Sequence, residues 1–75
     1  MTVKVYSTQT CPYCIMAKKY LESKNVEFEY LDVSSNRELA NEMISKSGQR
    51  GVPVIDIDGN IIIGFDKEKI DSCLF

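Results

Sequence analysis

The chain has 75 residues, 44% hydrophobic and 27% charged, and nine basic against eleven acidic side chains give a formal charge of -2. A chain this short buries only about 60% of its unfolded surface, so one core and one domain over residues 1–75 are expected, and the composition excludes disordered and fibrous classes. The longest basic run is Lys18-Lys19 and the most apolar stretch is Ile61 to Ile63, so neither nucleic acid nor a membrane is expected as partner.

Val3-Lys4-Val5-Tyr6-Ser7 alternates apolar with polar and predicts a first strand ending near Thr8. A cysteine-containing loop follows, and Pro12 to Lys24 predicts a helix. Cys14, Ala17 and Leu21 form its apolar face, widened by Ile15, Met16 and Tyr20. Pro12 suits the first helical turn, where its missing N–H costs nothing. Val26 to Val33 predicts a second strand with Val26, Phe28, Tyr30 and Asp32 on one face. Ser34 or Ser35 then offers an N-cap for a helix over Asn36 to Ser47, carrying Leu39, Ala40, Met43 and Ile44 and closed by Gly48. Val52 to Ile57 and Asn60 to Ile63 read as a hairpin around Asp58-Gly59, and Asp66 to Cys73 as a last helix.

The order is strand, helix, strand, helix, strand, strand, helix. The first strand-helix-strand unit favours a parallel pair, and the hairpin must add antiparallel strands. An α/β architecture results, a mixed four-stranded sheet flanked by three helices. Met1 to Val5 lacks the charged and apolar regions of a signal peptide, so a cytoplasmic protein is expected, and a monomer is the expected state.

Three cysteines is an odd number for a disulfide-stapled scaffold, and a chain without histidine offers a poor ligand set for structural zinc; no bound metal is expected. Redox chemistry is the main reading of Cys11-Pro12-Tyr13-Cys14. Cys11, just after Thr10, lies between a strand end and a helix start, where unpaired N–H groups and the helix dipole favour a thiolate. Cysteines in such settings have pKa values of roughly 3.5 to 7.5 and act as nucleophiles. Cys14, one turn on, takes the resolving position. Pro12 stiffens the loop, which tunes how readily the pair oxidises, and Tyr13 can wall the approach. Packing alone is the competing reading, as it is for Cys73, placed on the last helix.

Pro53 interrupts a strand-like run and calls for an edge position, a strand start or a cis bond; the last would leave the Val52 backbone to pair with an extended substrate. Gly64 and Asp66 read either as a turn and N-cap or as a carboxylate site at a helix N-terminus.

Taken together, these motifs resemble the glutaredoxin family over nearly the whole chain. Cys11-Pro12-Tyr13-Cys14 is similar to its dithiol site, Val52-Pro53 after Ser47-Gly48-Gln49-Arg50 to its cis-proline segment, and Ile55-Asp56-Ile57-Asp58-Gly59 to its hairpin. The resemblance implies a thioredoxin fold and a thiol-disulfide oxidoreductase with no bound cofactor and glutathione as co-substrate, acting on disulfide-containing proteins and glutathione mixed disulfides. Electrons would come from glutathione, kept reduced by glutathione reductase. It places glutathione beside Tyr13, Val52 and Pro53, with its far end at Gly64, Phe65 and Asp66 and its glycine carboxylate near Gln49 or Arg50.

The chain departs from the family pattern at Gly51, where many members have threonine, and at Ile63, where they have a first glycine. Ser7 to Thr10 also replaces a frequent lysine. Gly64-Phe65 is similar to redoxins that supply ribonucleotide reductase and are reduced by thioredoxin reductase, which gives the alternative donor. A non-enzymatic alternative holds an iron-sulfur cluster between two chains, four cysteine-type sulfurs being the usual ligands; a loop stiffened by Pro12 argues against it.

Overall fold

The computed structural model describes residues 2–74. Its elements in chain order are β1 (Val3–Ser7), α1 (Pro12–Ser23), β2 (Glu29–Asp32), α2 (Arg37–Ser47), β3 (Val54–Ile57), β4 (Asn60–Ile63) and α3 (Lys67–Leu74). The strands lie in the order β2-β1-β3-β4. β1 is parallel to β2 and antiparallel to β3, and β3 is antiparallel to β4.

Strand alternation divides the core between the two faces of this sheet. Val3, Val5, Ile55, Ile57 and Ile62 pack with Ala17 and Leu21 of α1 and Ile70 of α3. Tyr6 and Val54 pack with Met43 of α2 on the other side. The register aligns Val5, Ile55 and Ile62 across three strands, which keeps each face uniform. The hairpin turn takes positive φ at both Asp58 (51°) and Gly59 (90°), as a two-residue I′ turn requires.

Four sequence expectations change. The second strand is only Glu29–Asp32, because β1 pairs it no earlier than Lys4 with Glu29; Val26 and Phe28 still pack on the core as the chain leaves α1. The cap of α2 is Asn36, whose side chain accepts the Leu39 N–H at 3.2 Å, while Ser34 bonds to the Asp32 carboxylate instead. Ile15 and Met16 do not widen the buried face of α1 but are 43% and 47% exposed. At about 100° per residue they fall off the stripe set by Cys14, Ala17 and Leu21. The third strand starts at Val54, so Val52 and Pro53 precede it.

Lys46 of α2 ties both sheet and helix together. Its ammonium donates to Asp56 Oδ2 at 2.7 Å and to the Tyr6 hydroxyl at 3.0 Å. Burial alone would raise the Asp56 carboxyl, but Lys46, the Gly59 N–H and the charge of Lys4 hold it below the usual range. Bonds to Asp56 and Tyr6 raise Lys46 in turn.

Candidate functional site: a thiol pair at a helix start

Cys11 is the N-cap of α1, with extended backbone (φ -95°, ψ 110°), and Pro12 opens the helix. Its Sγ accepts the Cys14 N–H at 3.2 Å, as a capping oxygen would. The same sulfur lies 3.8 Å from the Val52 carbonyl oxygen, to which the thiol donates. Thr10 is exposed just ahead, and Tyr13 is 61% exposed.

The two thiols occupy different environments. Cys11 is partly accessible and Cys14 is fully buried. Burial first, then hydrogen bonding to the Cys11 sulfur, push the Cys14 thiol up to about 12, against a smaller opposing effect of the Thr8 backbone. The influence of Thr8 had no sequence signal beyond its place at the end of β1.

The Val52–Pro53 peptide is cis. Pro53 is buried, and its carbonyl accepts the Gly64 N–H at 2.8 Å. Three segments distant in sequence thus meet: Cys11, then Val52-Pro53, then Gly64. Phe65 is half-buried and edge-on to Tyr20 with ring centroids 5.8 Å apart. Asp66 caps its own helix, its carboxylate accepting the Lys69 N–H at 3.2 Å. The turn-and-cap reading of Gly64 and Asp66 therefore holds, and a side-chain carboxylate already occupies one helix-start donor.

Gln49 and Arg50 differ. Arg50 is exposed and makes no ion pair among the described residues. The Gln49 carboxamide is folded onto its own loop, accepting the Gly51 N–H at 2.5 Å and donating to the Gly51 carbonyl at 3.0 Å. No spacing rule in the sequence announced that contact. Cys73 is half-buried against the α1 and α3 core.

Two shallow grooves flank α1. One of about 320 Å³ is lined by Met16, Lys19, Tyr20, Phe65 and Lys67, the other of about 330 Å³ by Thr8, Gln9, Ile15, Lys18 and Tyr30 among others. Neither is lined by Cys11 or Cys14. Among the described residues no three histidine, cysteine, aspartate or glutamate side chains gather as a metal-binding group, and no helix is long and apolar enough to cross a membrane.

A β2-β1-β3-β4 mixed sheet with three helices is the thioredoxin-like fold, and solved thioredoxin-like and glutaredoxin structures superpose on it. A dithiol at the start of its first helix places the chain among thiol redoxins. A family model for glutaredoxins matches residues 3–62, and the chain belongs to that family, as a glutaredoxin-like thiol-disulfide oxidoreductase. It is 51% identical over 72 residues to an uncharacterized glutaredoxin-like 8.6 kDa protein in the rubredoxin operon of Clostridium pasteurianum, covering 96% of both chains. It is 45% identical over 64 residues to glutaredoxin 3 of Escherichia coli K12, covering 85% of this chain and 77% of that one. The NrdH-redoxin of Escherichia coli, a glutaredoxin-like protein with a thioredoxin-like activity profile, superposes with a TM-score of 0.84 at 26% identity, covering 96% of this chain and 93% of that one.

Proposed function

We propose that the chain reduces protein disulfides and glutathione mixed disulfides, with Cys11 as nucleophile, Cys14 as resolving thiol and glutathione as electron donor. The observation that carries the roles of the two thiols is the asymmetry of the pair: Cys11 Sγ is accessible and accepts a backbone N–H, whereas Cys14 is buried with its thiol pushed up to about 12. The Cys11 thiolate attacks one sulfur of the substrate disulfide, and the other leaves as a thiolate that takes up a proton. Cys14 then attacks Cys11 Sγ and releases the second substrate thiol. Two electrons pass from the pair to the substrate, leaving Cys11-Cys14 as a disulfide. Two glutathione molecules restore the dithiol and become glutathione disulfide.

Glutathione lies along Val52 and Pro53 and ends near Gly64, Phe65 and Asp66. The contacts from Cys11 to Val52 and from Pro53 to Gly64 support this path, since they make one continuous edge. Arg50 supplies the charge for the glycine carboxylate. The setting is the cytoplasm, where glutathione keeps such thiols reduced, and the working unit is a monomer.

A second reading, recycling by thioredoxin reductase, draws support from the folded-back Gln49 and from Ile63, 54% exposed immediately before Gly64. The test is NADPH oxidation with a protein disulfide, coupled either through glutathione and glutathione reductase or through thioredoxin reductase. Glutathione-coupled turnover is expected to dominate; turnover confined to thioredoxin reductase overturns the donor assignment. Cys11→Ser should abolish both, while Cys14→Ser should keep only the reduction of glutathione mixed disulfides.

A further inference from the structure

The loop between α2 and β3 holds a side-chain latch. Gln49 Oε1 accepts the Gly51 N–H at 2.5 Å and Gln49 Nε2 donates to the Gly51 carbonyl at 3.0 Å, so the carboxamide pairs with both backbone groups of one residue. Ser47 Oγ anchors the loop: it donates its one proton to the Met43 carbonyl at 2.7 Å, lies 3.0 Å from the Gln49 carbonyl oxygen, and accepts the Gln49 N–H at 3.4 Å. The next residue, Val52, carries the carbonyl that faces Cys11 Sγ.

The latch depends on the missing side chain at position 51. A Cβ there would stand 2.6 Å from Gln49 Oε1, closer than real contacts allow, and the atom that must yield is the end of a flexible side chain. Gly51 φ lies outside the left-handed region that L side chains rarely adopt.

We propose that Gly51 is a specificity-determining residue: by permitting the latch it withholds the Gln49 carboxamide from glutathione and lowers the preference for glutathionylated over other disulfides. This rests on the glutathione site of the proposed function and adds a regulator of its selectivity. With a side chain at position 51 the carboxamide swings out, and its N–H groups become donors for a ligand carboxylate next to Arg50. No covalent step changes; only the ground-state contacts of the bound disulfide do.

The experiment compares kcat/KM for a glutathionylated peptide with kcat/KM for a disulfide-linked peptide lacking glutathione, in the native chain, Gly51→Ala, and Gly51→Ala combined with Gln49→Ala. Gly51→Ala should raise the ratio about tenfold through KM, the scale of one hydrogen bond to a charged group. The double variant should return to the native ratio. An unchanged ratio in a Gly51→Ala protein of native thermal stability overturns the proposal, as does a gain that persists without Gln49.

Amide exchange at Gly51 gives an independent reading. Protection should be present in the native chain and lost in Gln49→Ala, and equal exchange in both overturns the latch. If the native chain turns over no glutathionylated peptide, the proposed donor fails. The latch is then judged by whether Gly51→Ala acquires that turnover, and failure to acquire it overturns the specificity role.

Discussion

At the scale of single residues, two identical thiols three positions apart are separated chemically by what surrounds each. Cys14 sits under the first turn of α1, where burial and the neighbouring sulfur disfavour its charge. Cys11 sits at the cap, where its sulfur receives a backbone N–H. In Cys11→Ser, iodoacetamide at pH 8 should modify Cys14 about 100-fold more slowly in the folded protein than in urea, because the thiolate fraction falls with a raised pKa. Peptide mass spectrometry separates Cys14 from Cys73, and equal rates would show an accessible Cys14. The folded state also binds the Cys14 proton more tightly than the unfolded chain does. Its contribution to stability is therefore complete below the usual value of 9.0 and is lost as pH climbs through about 12.

At the scale of elements, the ends and faces of the helices decide more than their lengths. α2 starts where Asn36 can reach the Leu39 N–H, and Gly48 ends it at φ 73°, the left-handed conformation of a C-cap. Asn36→Ala should cost about 1 kcal/mol, lowering Tm by about 4 to 8 °C in a domain of this size. Ser34→Ala should stay within about 0.5 kcal/mol, its bond to Asp32 being exposed. A larger effect at Ser34 than at Asn36 in thermal melts would restore the serine cap. On α1, Met16→Gln should likewise stay within about 0.5 kcal/mol, whereas Leu21→Ala, inside the core, should cost about 2 to 5 kcal/mol in urea unfolding.

At the scale of the whole molecule, Lys46, Asp56 and Tyr6 join α2, β3 and β1 through one charged contact on the face away from α1. Asp56 is depressed in the fold, so its contribution is present above its usual 3.8 and is lost as pH falls through the lower folded value. Lys46 is raised, so its contribution is present below 10.5 and is lost as pH rises through the higher folded value. Stability against urea should thus fall below about pH 4 more steeply in the native chain than in Asp56→Asn. Lys46→Met should cost about 1.5 to 3 kcal/mol, since the Asp56 carboxylate, mostly buried, keeps only the Gly59 N–H. Identical pH profiles in native and Asp56→Asn proteins would remove the network from the stability balance.

What the sequence determined by itself was local: the element order, the Asp58-Gly59 turn, the Gly48 stop and the Cys11-Cys14 spacing follow from period, turn chemistry and helix geometry within a few residues. Strand extent was not local, because β2 is only as long as the stretch β1 can pair. Exposure of Ile15 and Met16 was legible in the helical period, which puts both off the stripe of Cys14, Ala17 and Leu21, although apolar content alone misreads it. The cysteine pair was legible as a motif, yet the contacts around it were not. Val52 meets Cys11 from 41 residues away. Gly64 meets Pro53 across the hairpin, and the Gln49 latch depends on side-chain rotamers. Chain order carries short-range geometry, while the meeting of distant backbone segments is set by the register of the sheet, and that only the tertiary structure decides.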